Sequence, residues 1–554
     1  MRAFKTTSNS LFSSLLKHKR LMCTTIPQFF NLLKQCSNIK HIHQTHGFMI
    51  FTGLDQDNLH LTRFIDSCSS LGFSDYAFSV FTHHKSRPDI HLYNTMIKAL
   101  SQTQSPSKAV TLYNEIQASG LRPNNYSFPF ALKAVIKLSA IEMGRQIHCQ
   151  TIQTGLELDV HVLTALIRMY AFCARISDAR KLFDRLSNRV RDVTLWNAMV
   201  AAYAKVGDLN NALALFECMT EKNVISWTAL ISGYAHMDLP NEAIAIFRKM
   251  QLQNVKPDEI AMLAALSACA QLGALELGEW IHNYINKHGF YMTVPLNNAL
   301  IDMYAKSGKI GKALLVFENM KNKSVVTWTT MIAGLALHGL GREAVDMFSH
   351  MEKEKMKPNE ITFIAILLAC SHVGLVELGH YYFNIMKARY GIEPRIEHYG
   401  CMIALLSRAG YLQEAQQLVM RMPCEANAAI WGSLLAASNI YGDAELGEHA
   451  MQHLMKLEPN NSGNYAILSN IYASLGRWKE SGMLRKLMRD TGVKKTPGCS
   501  YIEVSNRVHE FIAGDTSHPD FDRIYQIQCK IIEQLKVAEH VKNEHFGLFE
   551  FDER

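Results

Sequence analysis

The sequence has no run of 18 apolar residues, so hydropathy offers no candidate for a membrane-spanning helix. It has 12 cysteines but none at C-x-x-C spacing, which excludes a zinc knuckle and a thioredoxin-like motif. Its 24 histidines form no metal-ligand constellation, so neither a metal nor another cofactor is expected. Proline is scarce, at 14 of 554 residues, and the chain is 48% hydrophobic and 19% charged, a globular rather than a disordered composition. Acidic residues are missing from the first 54 positions, which hold Arg2, Lys5, Lys17, Lys19, Arg20, Lys34 and Lys40. The net charge of +7 is concentrated there, and the rest of the chain is close to neutral. A general basic patch therefore gives little support for nucleic-acid binding.

What is present is repetition. The stretch Val325–Asn359 is 35 residues long and complete in itself. Trp328, Met331, Ile332, Leu335 and Ala336 recur at helical spacing and make one apolar face. Gly339 and Gly341 are expected to break that helix. A second helix follows with Ala344, Met347, Phe348 and Met351 on one side, and Pro358 stops it. A hairpin with two apolar stripes leaves surface exposed unless similar hairpins stack on it. A close copy lies 101 residues upstream at Val224–Asp258, where Trp227, Phe247 and Pro257 answer Trp328, Phe348 and Pro358. Such a superperiod marks an all-α, stacked array of helix-turn-helix units.

The array is expected over residues 25–427. After a short imperfect unit ending at Asp57, the units are Asn58–Asp89, Ile90–Asn124, Asn125–Asp159, Val160–Asp192, Val193–Asn223, Val224–Asp258, Glu259–Thr293, Val294–Ser324, Val325–Asn359, Glu360–Arg395 and Ile396–Asn427. Their lengths vary from 31 to 36 residues, unlike the strict 34 of a tetratricopeptide array. Cys269 and Cys370, at the same place in two units, are expected to be buried thiols. His43, His148 and His282 are expected to pack. Residues 1–24 are basic, hydroxyl-rich and free of acid, with Leu11, Phe12, Leu15 and Leu16 on one helical face. This is the composition of an organelle transit peptide. Arg2 and the basic cluster after Leu16 point to the mitochondrion, with the chloroplast as the alternative.

The segments at 193–219 (VTLWNAMVAAYAKVGDLNNALALFECM), 266–290 (LSACAQLGALELGEWIHNYINKHGF) and 298–320 (NALIDMYAKSGKIGKALLVFENM) resemble motifs of the plant pentatricopeptide repeat family. The match is to its subgroup of alternating P, L and S motifs. Residues 428–461 and 462–495 resemble the two E motifs of that subgroup. Residues 496–554, with PGCSYIEV from Pro497, resemble the extension that follows them. The resemblance implies a right-handed superhelical solenoid whose first helices line the inner face. It also implies that the fifth and last residues of a unit read one base of single-stranded RNA. The pairs here are Thr62 with Asp89, Asn94 with Asn124, Thr164 with Asp192, Asn197 with Asn223, Thr228 with Asp258, Asn298 with Ser324, and Thr329 with Asn359.

All these residue types cap helices well, which accounts for one polar residue per unit. Capping does not account for a fifth position restricted to Thr or Asn. A carboxylate suits the imino N–H of guanine or uracil, and an amide donor suits the ring nitrogen of adenine or cytosine. The family code adds that a fifth-position Thr goes with purines and Asn with pyrimidines. The L-type units carry Pro129, Leu263 and Ile364 at the fifth position and are expected to act as spacers. Ile225 and Val326, at the second position, either sandwich bases as in the family or pack in the ordinary way.

In related proteins the extension continues into a zinc deaminase. That chemistry needs H-x-E and P-C-x-x-C. The H-x-E here, His350-Met351-Glu352, falls within a repeat helix, and no C-x-x-C exists. Only 57 residues follow Pro497, which is expected to be too few for a catalytic domain. The chain is therefore expected not to be an enzyme. The resemblance implies a site-recognition factor for cytidine-to-uridine editing of organellar RNA. Its partners would be single-stranded RNA and, through residues 428–554, a deaminase-bearing family member and other editing factors. The alternatives are a factor for RNA stability, splicing or translation, and a protein-binding helical scaffold.

Overall fold

A computed structural model of the chain describes residues 26–186, 192–288, 290, 293–493, 498–504, 507–512 and 515–537. The expected transit peptide lies outside them. The chain divides into two compact bodies between Ala261 and Met262. Both are built from helical hairpins, and no described helix is long and apolar enough to cross a membrane.

In the first body the first helices Asn58–Ser70, Ile90–Gln102, Ser127–Leu138, Val160–Phe172, Val193–Val206 and Val224–His236 each pack on the next in the series. In the second body Val294–Lys306, Val325–Leu337, Glu360–Val373, Ile396–Arg408, Ala428–Tyr441 and Ser462–Ser474 do the same. The residues of the apolar stripes form the core, with Met331, Ile332, Ala344 and Phe348 fully buried. Successive hairpins are joined by ring contacts. Trp227 meets Phe216 of the preceding unit edge-on at 4.7 Å, and Trp328 meets Phe317 in the same way at 4.9 Å. Such pairs add about 0.5–1.5 kcal/mol beyond the area they bury.

Unit length follows from the second helix. It has 13 residues in the 35-residue unit, as in Pro240–Leu252 and Gly341–Lys353, but ten in Leu209–Cys218, Ile310–Asn319 and Leu412–Arg421. The short helices close on an extended methionine, Met219, Met320 or Met422. Gly341 corrects one expectation. It begins the second helix rather than breaking the first; Gly339, at φ +69°, makes the turn. A Cβ on Gly341 would lie 2.6 Å from Val373 Cγ2 and 2.9 Å from the carbonyl oxygen of Ala369, so close helix approach is what requires glycine there.

Cys269 and Cys370 are fully buried, and burial pushes the Cys370 thiol up to about 12. His148 Nδ1 bonds Tyr170 Oη at 2.9 Å, and His282 Nδ1 bonds Tyr304 Oη at 2.8 Å. Burial lowers the pKa of both imidazoles, helped by Arg185 in one case and Lys312 in the other. His43 instead lies against the Tyr76 ring, and His46 makes the hydrogen bond to that phenol. In the H-x-E triplet Met351 is core, and Glu352 pairs with Arg389 at 2.9 Å and accepts a hydrogen bond from Tyr390 Oη.

The C-terminal hairpins Ala428–Tyr441 with Ala444–Leu457, and Ser462–Ser474 with Trp478–Asp490, continue the same packing. One core cluster runs from Ile403 and Leu406 of the last repeat through Trp431 and Leu454 to Ile471 and Val493. Beyond it the helical reading fails locally. Cys499–Val504 pairs antiparallel with Arg507–Ile512, Cys499 opposite Ile512 and Val504 opposite Arg507. The aromatic and β-branched residues Tyr501, Ile502 and Val504 were the available signal for a strand. The helix Phe521–Val537 follows.

Candidate nucleic-acid interface

Backbone chemistry fixes the last residue of each unit first. In most units it is the N-cap of the next first helix, with extended φ and ψ, as at Asp89 (−89°, 173°) and Asn223 (−109°, 177°). Asn124 stands two residues before its N-cap Tyr126 and reaches the helix start with its side chain. An N-cap side chain must accept, because the first-turn N–H groups lack partners. The N–H groups of Leu92, Ser127, Leu195, Ser226, Ala261 and Thr362 donate to Oδ1 of Asp89, Asn124, Asp192, Asn223, Asp258 and Asn359 at 2.8–3.1 Å. Ser324 caps through Oγ, 3.3 Å from the N–H of Thr327.

The cap takes one atom and leaves another. In the three Asp residues Oδ2 has no protein partner among the described residues, and in the three Asn residues Nδ2 has none. The cap also dictates which end of the amide faces outward. A backbone N–H selects the oxygen, so Nδ2 of Asn124, Asn223 and Asn359 is the atom left over. Capping and base reading are therefore compatible roles of one side chain.

The fifth residues divide into two groups. Three meet their partner directly: Asn94 Nδ2 donates to Asn124 Oδ1 at 3.0 Å, Asn197 Nδ2 to Asn223 Oδ1 at 3.1 Å, and Thr228 Oγ1 to Asp258 Oδ1 at 2.9 Å. Thr329 reaches Asn359 through one intermediary. Its Oγ1 lies 2.7 Å from Thr362 Oγ1, which donates to Asn359 Oδ1 at 2.9 Å. The others do not meet. Thr62 and Thr164 turn back on their own helices, donating to the carbonyls of Asn58 and Val160 at 2.7 Å. Asn298 makes no hydrogen bond to Ser324. The Oδ1 atoms of Asn94 and Asn298 are buried without a protein partner.

The L-type spacers look different. Pro129, Leu263 and Ile364 are half-buried and offer no side-chain polar atom. Arg395, the last residue of such a unit, makes no side-chain cap. Fully buried His398 takes over: its Nδ1 accepts from the Arg395 N–H at 3.0 Å, so Nε2 carries the proton and donates to the Glu360 carbonyl, also at 3.0 Å.

At the second position Ile225 is 60% exposed and Val326 57%, so neither is a core residue. Leu59, Tyr126, Ile260 and Ile361 share that position and that exposure, and sequence reasoning missed them. The signal was an apolar residue recurring beside a cap rather than on the buried stripe. Cations also recur in the last turn of the first helices, at Lys137, Lys205, Lys306 and Arg408. They complement the helix dipole there. Among the described residues no cluster of three or more His, Cys, Asp or Glu side chains could hold a metal ion.

Family models match this chain in several places. The PPR repeat family matches residues 88–137, 222–271 and 323–372, the PPR repeat matches 194–224, 298–325 and 397–425, and the E motif matches 441–503. A pentatricopeptide repeat-containing protein of Arabidopsis thaliana is 54% identical over 496 residues, 89% of this chain and 93% of the relative. Another is 43% identical over 94% of this chain and 85% of its own length. A third, named as chloroplastic, is 36% identical over 89% and 81%. Among solved structures, the crystal structure of a pentatricopeptide repeat protein from maize aligns with a TM-score of 0.47 and 16% identity, over 83% of this chain and 73% of that one.

Proposed function

From the premise that this chain belongs to the pentatricopeptide repeat family and carries its E motif, we propose that it binds single-stranded RNA, one base per reading unit. We propose further that it marks sites for cytidine-to-uridine editing in an organelle. The observation that carries the reading is the divided use of the last side chain. One oxygen caps a helix, while Oδ2 of Asp or Nδ2 of Asn stays unpaired beside it. An unpaired carboxylate oxygen matches the imino N–H of guanine or uracil, and an unpaired amide N–H matches the ring nitrogen of adenine or cytosine. Exposed Ile225 and Val326 offer apolar surface to base faces, and the cations at the helix ends suit phosphates.

In register, Thr62/Asp89, Thr164/Asp192 and Thr228/Asp258 take G. Asn94/Asn124, Asn197/Asn223 and Asn298/Ser324 take a pyrimidine, and Thr329/Asn359 takes A. With the last repeat placed four nucleotides before the edited cytidine, as in the family, A falls at −6 and G at −9, −11 and −14. Pyrimidines fall at −7, −10 and −13. Residues 428–554 would then recruit a deaminase carried by another protein. The basic, acid-free leader supports import into the mitochondrion, and the name of the chloroplastic relative supports the plastid.

Titration of the purified chain against RNA of this pattern and against scrambled RNA tests the binding. The matched RNA is expected to bind at least tenfold more tightly, since each good base contact contributes about 1–3 kcal/mol of discrimination. Equal affinities would overturn the reading. Transcript sequencing in a null mutant tests the editing role: one or a few C-to-U changes are expected to vanish, and an unaltered set would exclude it.

A further inference from the structure

Three positions after each reading residue stands a side chain that the one-base-per-unit scheme does not use. Asp89, Asp192 and Asp258 are followed there by Leu92, Leu195 and Ala261, whereas Asn124, Asn223, Ser324 and Asn359 are followed by Ser127, Ser226, Thr327 and Thr362. All seven third-position residues are 0% exposed. We propose that the buried third-position hydroxyl is an orientation lock on an uncharged reading residue, and so a positioning residue that sets base specificity from the neighbouring unit. The proposal rests on the reading above, in which the last residue faces a base edge.

The physical need differs between the two residue types. A carboxylate presents an oxygen whichever way it turns. A carboxamide has two ends of nearly the same shape and opposite chemistry. Flipped, Asn359 would offer an acceptor and select guanine or uracil instead of adenine or cytosine. Thr362 opposes that flip. Its Oγ1 donates to Asn359 Oδ1 at 2.9 Å and accepts from the Asn359 backbone N–H at 3.2 Å. A flipped amide would set its NH2 against both the Thr362 N–H and the Thr362 hydroxyl hydrogen. Beside an Asp the same hydroxyl would be harmful: donating to the capping Oδ1, it would draw negative charge from the carboxylate and weaken Oδ2 as the acceptor that the base N–H requires.

A helix-capping role alone does not give this distribution. The reciprocal capping box would serve an Asp cap as well as an Asn cap, yet the three Asp joints carry Leu or Ala. In two joints the hydroxyl also reaches the fifth residue. Ser226 Oγ lies 2.6 Å from Asn197 Oδ1, and Thr362 Oγ1 lies 2.7 Å from Thr329 Oγ1. Thr362 can accept from the Thr329 hydroxyl while it donates to Asn359, and so holds both reading side chains of its joint. The single Ser226 hydrogen is shared between Asn197 Oδ1 and Asn223 Oδ1, the latter at 3.1 Å, so the lock on Asn223 is the weaker one. Asn427 is followed by Ile430 instead, and its unit has Gly400 at the fifth position, where there is no side chain to orient.

The test uses the full chain and four RNAs that differ only at the base facing the Val325–Asn359 unit. Wild type is expected to prefer A over G by about tenfold or more. Thr362→Val keeps the β-branched shape and removes the hydroxyl. It is expected to cut the A-over-G ratio about fivefold, the worth of one hydrogen bond, chiefly by tightening G, while Thr362→Ser restores the ratio. Ala261→Ser, which introduces a hydroxyl beside Asp258, is expected to weaken the G preference of the Val224–Asp258 unit a few-fold, read on a second set of four RNAs that differ only at the base facing that unit. The lock is refuted if wild type discriminates and Thr362→Val discriminates equally well. A wild type indifferent to the base removes the base-reading premise and the lock together, and is distinguished by failing before any variant is compared.

Discussion

Two adjacent joints in the second body, one after Asn359 and one after Arg395, solve the same packing problem with opposite surface chemistry. Both bury a polar third-position residue completely, Thr362 in one and His398 in the other. Thr362 turns its hydroxyl toward Thr329 and Asn359 and leaves Nδ2 of Asn359 unpaired. His398 spends both ring nitrogens on backbone, and the fifth residue of the unit that ends at Arg395 is Ile364, so neither His398 nor Ile364 leaves a side-chain polar atom facing outward. The stack needs a satisfied joint, but it does not need one that leaves a polar atom facing outward. Packing and the proposed recognition are therefore separable in this chain.

Three substitutions would break or sharpen that contrast. The largest effect is expected from His398→Leu, which orphans the Arg395 N–H and removes a second hydrogen bond from the Glu360 carbonyl. It should cost about 1–3 kcal/mol of stability, seen as a lower Tm, while base preference at the Val325–Asn359 unit stays as in wild type. A changed preference would mean the two joints are coupled. Asn359→Asp should do the reverse. The cap through Oδ1 survives, so Tm holds, while preference at that base moves from A toward G in competition binding by about 1 kcal/mol, the low end of a base contact, because Thr362 still stands beside the new carboxylate. Loss of stability without a shift would place Asn359 among the packing residues only. The smallest effect is expected from Val326→Ser, which removes exposed apolar surface. Affinity should fall by about 1 kcal/mol or less for every RNA alike, measured as a uniform change in Kd. A sequence-dependent change would assign Val326 a part in reading.

Helical periodicity made the hairpins legible, because the core stripes are the same residues that carry the 3.6-residue signal. The unit ends were legible too, since Asp and Asn at an N-cap satisfy first-turn N–H groups wherever the fold places them. Three things were not. The role of Gly341 depends on the close approach of Val373 and Ala369, more than 25 positions away, and local sequence shows only a helix breaker. The fifth and last residues of a pair are 26 to 30 positions apart, and rotamers decide whether they touch, so Thr164 looks like Thr228 in sequence yet bonds its own helix. The strands Cys499–Val504 and Arg507–Ile512 were hidden because each is only six residues long and Ser500–Val504 does not alternate between polar and apolar residues.

The cap at the unit end has a consequence for how such a chain diversifies. Asn and Asp hold the next helix through the same oxygen, and their codons differ by one nucleotide. On the proposed reading, a single point mutation can therefore begin to exchange one letter of the recognised sequence while the helix beneath it stays anchored, and a change at the buried third position completes the exchange. Few binding surfaces offer that route, since a change of specificity elsewhere usually disturbs the packing that supports it. Here target choice can drift along a nearly level path in stability, one joint at a time, with the scaffold unchanged.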